Sequence, residues 1–495
     1  MSQRNDKQIS RRRVLRTAGV SVAAMTAAGL LNTPHVGGAD VKPEPKIAKG
    51  DKLRIALIGC GGQGTGTHIP AAMKEELVAV VDPDPARQDK ALAAGQAKAK
   101  LVNPNFDPAK VKRFDDYRKL FDAKGKQLDG ILVATPNPHH ALPAILAMKL
   151  GIGAYVEKPM CFDLREARIM SELSIKQKVA TQMGNQGHSG EGYRRLCEYI
   201  WAGAIGNVTE VYCWSDRANG GAGPRPPEQE PPAGMNWDHW IGPAPFRKFH
   251  KDLHPHEWHG WHDFGGGSLG NMGAHVLDGA HWALKLGHAS TVEVEDMVGG
   301  SDERFPLGVR IRWDFAAREG MPPVKLWWYD GKKKGAAGGT GKTTDADAND
   351  DAVDTKARNI PPIVLELEKK YKTTLDKNGT VFVGDKGIMV SGTYGGGVRM
   401  LPDEAQKAFP SPAKSLPRVS GGHHGSYYNA IRTGQPASSN FETAAKLTEI
   451  ILLGGVAMRM GKGKKLDWDG EKMEFPNSPE ATKLVGREYR KGWEM

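Results

Sequence analysis

Apolar residues along this chain gather first in short unbroken runs and later in longer strand-like ones. Leu53-Arg54-Ile55-Ala56-Leu57-Ile58 is nearly continuous, and residues 77–81 and 130–134 repeat the pattern. Runs of this length without polar alternation predict strands buried on both faces. After the third run, Asn137 stands where it can cap a helix with Pro138 in its first turn, and Gly151 stands where that helix should stop. Ala154-Tyr155-Val156 then opens another strand. Strands alternating with helices predict a parallel sheet with right-handed crossovers over residues 51–180. Beyond residue 180 the runs lengthen, as at 208–214 and 308–313. Residues 181–495 are therefore expected to form an α+β domain on a large, mostly antiparallel open sheet.

Two segments stand outside this rhythm. Ser10-Arg11-Arg12-Arg13-Val14-Leu15-Arg16 is followed by small and apolar residues without charge as far as Leu31. A basic region, a short hydrophobic core and a small-residue exit describe an export signal rather than a spanning helix. The Arg11-Arg12 pair looks like the twin-arginine type, with cleavage after Ala39 and a Pro-containing linker over 40–50. A basic, disordered terminus with an Ala-rich helix is the alternative. Residues 332–354 are Gly, Lys, Asp and Ala with almost no large apolar side chain, which predicts a mobile surface insertion. Its Gly341-Lys342-Thr343 is not a phosphate loop, because Ala336 replaces the required glycine and no buried strand leads in.

Composition narrows the class. Hydrophobic residues at 39% and charged residues at 25% are a globular balance. No run of eighteen apolar residues exists, so no membrane span is expected. The net charge of +11 invites a nucleic-acid reading, but residues 1–39 carry +5 of it and the rest is scattered. Without a basic stripe interleaved with aromatics, nucleic acid is not an expected partner. Cys60, Cys161, Cys197 and Cys213 show no Cys-x-x-Cys spacing and read as buried thiols, neither a disulfide framework nor a zinc site.

The chemistry begins at Gly59-Cys60-Gly61-Gly62-Gln63-Gly64, a Gly-x-Gly-x-x-Gly turn directly after the first strand. Such a turn can be merely a turn. Here Asp82 ends the second strand 18 residues past Gly64, where an acid can accept hydrogen bonds from a ribose 2′-hydroxyl. The glycines let backbone N–H groups approach a pyrophosphate at a helix N-terminus. An acid at 82 would repel a 2′-phosphate, which favours NAD over NADP, although Arg87 acts in the opposite sense.

Further motifs follow: Ala134-Thr135-Pro136-Asn137-Pro138-His139-His140, Tyr155-Val156-Glu157-Lys158-Pro159, Gln182-Met183-Gly184-Asn185-Gln186-Gly187-His188, Trp237-Asp238-His239-Trp240-Ile241-Gly242-Pro243 and Trp261-His262-Asp263-Phe264-Gly265-Gly266-Gly267. With the glycine turn, and continuing from His423 through Ala457, this set resembles the Gfo/Idh/MocA family of glucose–fructose oxidoreductase and inositol dehydrogenase. The resemblance implies an N-terminal Rossmann domain, a C-terminal sheet domain that commonly makes homo-oligomer contacts (dimer or tetramer), and sugar-like substrates. It implies coenzyme contacts from Gly59, Gly61, Gly62, Gln63, Gly64, Asp82, Thr135, Asn137, His140, Glu157, Lys158 and Asn185. It also implies that Lys158 and His275 are the acid/base pair, with Gln186, His188, Trp261 and Asn271 toward the substrate. A lysine beside the nicotinamide's positive charge is expected to have a lowered pKa, suiting proton transfer. Taken alone, Lys158 could be a solvated cation and His275 a packed helix residue.

The family usually has Asp four residues before this histidine, where the chain has Asn271. An amide orients the ring but carries no charge, and Asp278 is the nearest candidate to substitute. Asn137 likewise stands where an Asp is often found, and is read as a cap. His254, His256, His259, His262 and Asp263, interleaved with Trp258 and Trp261, tempt a metal assignment, but a substrate-cleft wall for a sugar face is the favoured reading. His423 and His424 can reach the same cleft or be surface-loop residues. Together these features predict an exported, periplasmic NAD-dependent oxidoreductase on a sugar, polyol or glycoside. Free coenzyme is scarce outside the cytoplasm, so the nucleotide should be tightly bound and recycled in place. A redox-neutral glycosidase or epimerase, and a non-catalytic sugar-binding protein, are the alternatives.

Overall fold

The buried runs of the N-terminal half pair side by side and in parallel. The computed structural model describes residues 50–332 and 358–495; the export signal expected over 1–39 and nearly all of the 332–354 insertion lie outside the described residues. Strands β1 (Arg54–Ile58), β2 (Glu76–Val81), β3 (Lys112–Phe114), β4 (Gly130–Val133), β5 (Gly153–Val156) and β6 (Thr181–Met183) form one sheet in the order β3-β2-β1-β4-β5-β6. Ile55, Leu57, Ile131, Leu132 and Ala154 have no solvent exposure. Each large one of these contributes about 1.5–3 kcal/mol by leaving water, so the chain can spend whole strands on the interior. The sixth strand lies at 181–183, just past the expected end of this domain.

Carboxylates start the helices that cover the sheet. Asp84 Oδ1 accepts from the Ala86 N–H at 3.0 Å, with Pro85 in the first turn, to begin α1 (Pro85–Val102). Asp116 does the same for α2 (Tyr117–Lys124). Asn137 makes no cap. It opens a short 3₁₀ turn, Asn137–His139, without a capping side-chain bond, ahead of α3 (Ala141–Lys149). Asp163 and Glu166 cap α4 (Leu164–Gln177) from both sides of its first turn, accepting from the Glu166 and Phe162 N–H groups at 2.8 Å each.

The second sheet has eight strands, β7 (Val208–Ser215), β8 (Thr291–Val298), β9 (Gly308–Phe315), β10 (Val324–Gly331), β11 (Gly379–Gly384), β12 (Gly387–Gly392), β13 (Arg399–Leu401) and β14 (Lys465–Asp467). Their order is β13-β12-β11-β7-β10-β9-β8-β14, antiparallel throughout except between β7 and β10. Strand β9 alternates strictly: Val309, Ile311 and Trp313 are buried, whereas Arg310, Arg312 and Asp314 are half-buried on the other face. Helices α5 (Glu191–Trp201), α6 (Gly267–Val276), α7 (Asp278–Ala283), α8 (Gly422–Thr433) and α9 (Phe441–Met460) lie between or beside the sheets. Helix α9 touches both α4 and α6, and a side chain at Gly454 would strike Leu269 and Trp313. That close packing fixes α6, which carries Asn271 and His275, against the parallel-sheet domain that carries Lys158. No helix among the described residues is long and apolar enough to cross a membrane.

Candidate active site

Strand order reverses beside β1, whose neighbours β2 and β4 lead in opposite directions, and the crevice at such a point is where an open parallel sheet takes a ligand. The glycine turn closes over it, and its glycines have different duties. Gly59 adopts φ +96°, and a Cβ there would lie 2.4 Å from the Ala134 carbonyl oxygen. A Cβ on Gly64 would lie 2.1 Å from the Gly59 carbonyl oxygen, so Gly64 packs beneath the loop rather than lining it. A Cβ on Gly61 meets no protein atom within 4 Å, yet Gly61 lines the cavity. Its smallness serves whatever enters. The chain then winds through a wide π turn, Gly64–His68, into Ile69–Ala72, a geometry found mostly at functional sites.

One cavity of about 430 Å³ runs from this loop to Lys158 and onward beneath the second domain. At one end Asp82 accepts from the Cys60 N–H at 2.7 Å and the Asp84 N–H at 2.9 Å. Burial lifts its carboxyl to about 6, against the pull of those two bonds. Segments distant in sequence cover this end. Asn236 N–H donates to the Pro83 carbonyl at 2.8 Å, His239 lies 3.2 Å from Asp115, and Arg118 stacks over Trp493 at 3.7 Å.

At the other end Lys158 Nζ donates to the Asn271 carbonyl at 2.8 Å and to its Oδ1 at 2.9 Å. Asn271 Nδ2 in turn donates to Asn219 Oδ1 at 3.1 Å. His275, one turn along α6, lines the same cavity, and its Nδ1 is buried without a hydrogen-bond partner. Burial first, and then the Lys158 charge, hold it down to about 3, so the ring is neutral at physiological pH. The Tyr394 ring, at φ +60°, stands edge-on to it at 4.7 Å. Gln186 Oε1 and Thr135 Oγ1 are also buried on this wall without partners. Buried polar atoms left unpaired are costly, and three around one cavity mark where a ligand's hydroxyls and amides belong.

Glu157 is buried beside Lys158. Gln63 Nε2 donates to it at 3.0 Å and His68 Nε2 lies 3.1 Å away. Burial alone would raise its carboxyl, but His68, Lys158 and Gln63 hold it well below the ordinary carboxylate range. Behind it, His68 Nδ1 and His424 Nε2 are 2.9 Å apart, and His424 stacks on Tyr155. A carboxylate–imidazole–imidazole line therefore leads from the cavity toward the start of α8. His423 also lies behind the cavity, held by the Met183 carbonyl and Ser189.

Several residues expected in the site stand elsewhere. Asp278 does not serve His275; it accepts from Asn185 Nδ2 at 3.0 Å and pairs with His188 Nδ1 at 2.8 Å, away from the cavity wall. Asn185 Nδ2 and His188 Nδ1 are thereby engaged by Asp278, and His188 stacks on Trp282. Trp261 is fully buried, donating to the Asp252 carbonyl at 3.1 Å, and of the Trp258/Trp261 pair it is Trp258 that lines the cavity. Both His140 nitrogens face backbone carbonyls, of Pro159 at 2.7 Å and Thr135 at 2.9 Å, so it braces the loop it lies on. The histidine cluster divides. His254, His256 and His259 line the cavity, whereas His262 packs on Phe305 and Asp263 pairs with Arg247. Among the described residues no three His, Cys, Asp or Glu side chains are grouped to hold a metal. Tyr394, Arg217, His68 and Trp493 carry no motif that reveals them in the sequence.

The buried imidazoles set an acid limit. Burial holds His139, His262, His281 and His423 down to about 4 and His275 to about 3. The unfolded chain protonates these rings below their ordinary 6.5 while the fold does not, so stability is full above 6.5 and is lost as pH falls toward 4. Asp82 (raised to about 6) and Asp330 and Asp163 (each raised to about 7) act in the opposite sense, favouring the fold as pH falls through those values. They are fewer. The melting midpoint should therefore be lower at about pH 5 than at about pH 7.5 by circular dichroism; a rise on acidification would show the carboxyls dominating.

Comparison with known proteins agrees with this architecture. Residues 53–185 match the Gfo/Idh/MocA oxidoreductase family's NAD-binding Rossmann fold, and residues 208–304 match its C-terminal α/β domain. The rhizopine catabolism protein MocA of Rhizobium meliloti is 26% identical over 163 residues, 33% of this chain and 47% of that protein. A glycosyl hydrolase family 109 protein of Shewanella sp. (strain W3-18-1) is 28% identical over 200 residues, 37% of this chain and 41% of its own. Inositol 2-dehydrogenase 3 of Saccharopolyspora erythraea is 27% identical over 166 residues, 32% and 44% respectively. The chain thus spans less than half the length of each of these relatives. Among solved structures, the WlbA dehydrogenase of Chromobacterium violaceum, in complex with NADH and UDP-GlcNAcA, superposes with a TM-score of 0.53 at 16% identity, covering 87% of this chain and 99% of that one. The Bordetella pertussis WlbA dehydrogenase gives 0.51 at 15% identity, covering 84% and 99%. Each matched segment lies on its own sheet, the parallel one in the order expected of a dinucleotide fold, so the two segments are similar to the two domains of Gfo/Idh/MocA oxidoreductases.

Proposed function

We propose that this protein is an exported NAD-dependent enzyme acting on a sugar, polyol or glycoside with a retained coenzyme. The observation that carries the reading is a single cavity joining the glycine turn and Asp82 to Lys158, Asn271 and His275. Open space at Gly61 and the unpartnered Thr135 Oγ1 fit a dinucleotide lying along that wall. The chemistry NAD supplies when bound is reversible acceptance of a hydride from a carbon bearing a hydroxyl. Lys158 Nζ, fixed by two Asn271 oxygens, is placed to take the hydroxyl's proton, and neutral His275 to hold or relay it. The stacked Trp258 and His259 rings, 3.6 Å apart, offer a flat face to a sugar ring. The relatives named as an inositol dehydrogenase and a glycosyl hydrolase family protein support a carbohydrate substrate. An acid at 82 supports NAD over NADP. Self-association is proposed through the second sheet, whose open face carries rows of Arg and Glu.

Retention is favoured by the cover over the Asp82 end, where residues 236–239 and Trp493 close the groove. Protein purified without added coenzyme, then denatured, should release about one NAD per chain into the supernatant, as very slow dissociation requires. An empty protein would sink the retained-coenzyme reading. Asn271 favours a second reading, a redox-neutral reaction in which the hydride returns to the same substrate: with no carboxylate at 271, the Lys158 proton has no acidic neighbour there to pass to. Turnover in deuterated water that leaves the coenzyme's oxidation state unchanged, but labels a ring carbon, would distinguish it.

A further inference from the structure

We infer that Tyr394 and Gln186 together receive a second hydroxyl of the sugar, one that is not oxidised, and so decide which sugars the site accepts. The inference rests on the carbohydrate reading above and adds the residues that set its specificity. Tyr394 lies between β12 and β13, in Gly392-Thr393-Tyr394-Gly395-Gly396-Gly397. Its backbone takes φ +60° and ψ +17°, in the left-handed region. Glycine enters that region freely, as Gly395 and Gly397 do here, whereas a bulky side chain there is a costly outlier. The surroundings hold the strain in place. A Cβ on Gly187 would lie 2.7 Å from Tyr394 Cα, and one on Gly192 would lie 1.9 Å from the Gly395 carbonyl oxygen, so residues 187–192 press directly on the turn. Gly392 N–H donates to the Gly396 carbonyl at 2.6 Å and Gly396 N–H to the Thr393 carbonyl at 3.0 Å, closing the turn on itself.

Backbone strain over-determined in this way persists where it serves a site, and here it places the ring. Tyr394 stands on the cavity wall beside His275, with 47% of its surface still exposed. Core packing does not account for an aromatic held at such cost and left half in the open. Partial burial, and then the Glu157 charge, raise its phenol, with Arg217 acting in the opposite sense. The hydroxyl is therefore protonated at neutral pH and can donate. Gln186 precedes the Gly187 that touches Tyr394, and its Oε1 is buried on the same wall without a partner. An amide oxygen that accepts and a phenol that donates, on neighbouring stretches of one wall, suit a single sugar hydroxyl. Lys158 and His275 serve the hydroxyl that reacts, which leaves this pair to hold another. A buried group built to meet a hydroxyl discriminates strongly against the analogue that lacks it, because its own polar atom is then unpaired.

The holoprotein is titrated by calorimetry with glucose, galactose, mannose and inositol, each beside its monodeoxy analogues, while absorbance follows the bound nicotinamide. For at least one parent, an analogue that still gives the nicotinamide signal should bind about 30-fold or more weakly, because it lacks the hydroxyl that is held but not oxidised. Tyr394→Phe keeps the ring against His275 and removes only the hydroxyl. It should cut that ratio about tenfold by weakening the parent and sparing the analogue, whereas loss of packing would weaken both alike. Gln186→Leu should act in the same direction. Tyr394→Gly relieves the strained φ and should melt within about 2 °C of wild type or above it; a clearly lower midpoint would make the ring a packing residue and overturn the inference. If Tyr394→Phe leaves every ratio unchanged, its hydroxyl meets no substrate, and the carbohydrate reading stands without it. If no sugar binds or gives a nicotinamide signal, the carbohydrate reading itself falls and takes the inference with it.

Discussion

Replacing Lys158 by Met should lower turnover by about 10³-fold while the protein still purifies with its nucleotide, because a positioned acid/base group contributes about 10²–10⁴-fold. The amine is held by backbone and side-chain oxygens of Asn271 on another domain's helix, so its position does not depend on the substrate. Lys158→Arg should be nearly as inactive. A guanidinium stays charged and cannot accept the proton, so charge alone does not rescue the reaction. Coenzyme content, read from the supernatant of denatured protein, should remain near wild type in both variants. A Lys158→Met enzyme within a few-fold of wild type would remove the lysine from the chemistry and favour a sugar-binding role for the fold.

Gly61→Val should empty the site without unfolding the protein, raising the dissociation constant for NAD by about 10²-fold or more. The expectation follows from the contrast among the turn's glycines. A side chain at Gly59 or Gly64 collides with backbone at 2.4 or 2.1 Å and damages the turn itself. At Gly61 it meets no protein atom and projects from a residue that lines the groove, toward the space a pyrophosphate would need. Two isopropyl methyl groups there displace the phosphate from its backbone N–H donors, each such charge-assisted bond contributing about 1.5–3 kcal/mol. Calorimetry of the emptied protein measures the loss, and a melting curve without nucleotide should match wild type stripped of its own. Unaltered NAD content in Gly61→Val would place the coenzyme off this loop.

Much of the parallel-sheet half was legible because its signals are local. Strand β1 reads from six consecutive residues, the turn from the next six, and Asp82 from its place at the end of β2. Asn137 shows the limit of that reading: a good capping residue before a proline, it instead begins a 3₁₀ turn on the cavity wall. His188 and Trp261 were drawn toward the substrate by the motifs they sit in, but one is engaged by Asp278 and Trp282 and the other is packed under Arg304 at 4.6 Å. A motif conveys which residues are near one another in the chain. It does not convey which way a side chain turns.

The sequence by itself determined the dinucleotide half, since buried parallel strands, a glycine turn and an acid at fixed spacing follow from short-range sterics and burial. It also presented Lys158 and His275 as a pair through resemblance. Tertiary structure alone decided what surrounds them. Arg217 just after β7, Tyr394 from the turn after β12, and His68 and His424 behind Glu157 gather at that end of the cavity, and Trp493 near the C-terminus covers the Asp82 end, a convergence across hundreds of residues. Such convergence is set by how α6 and α9 pack between the two sheets, and no periodicity along the chain encodes it.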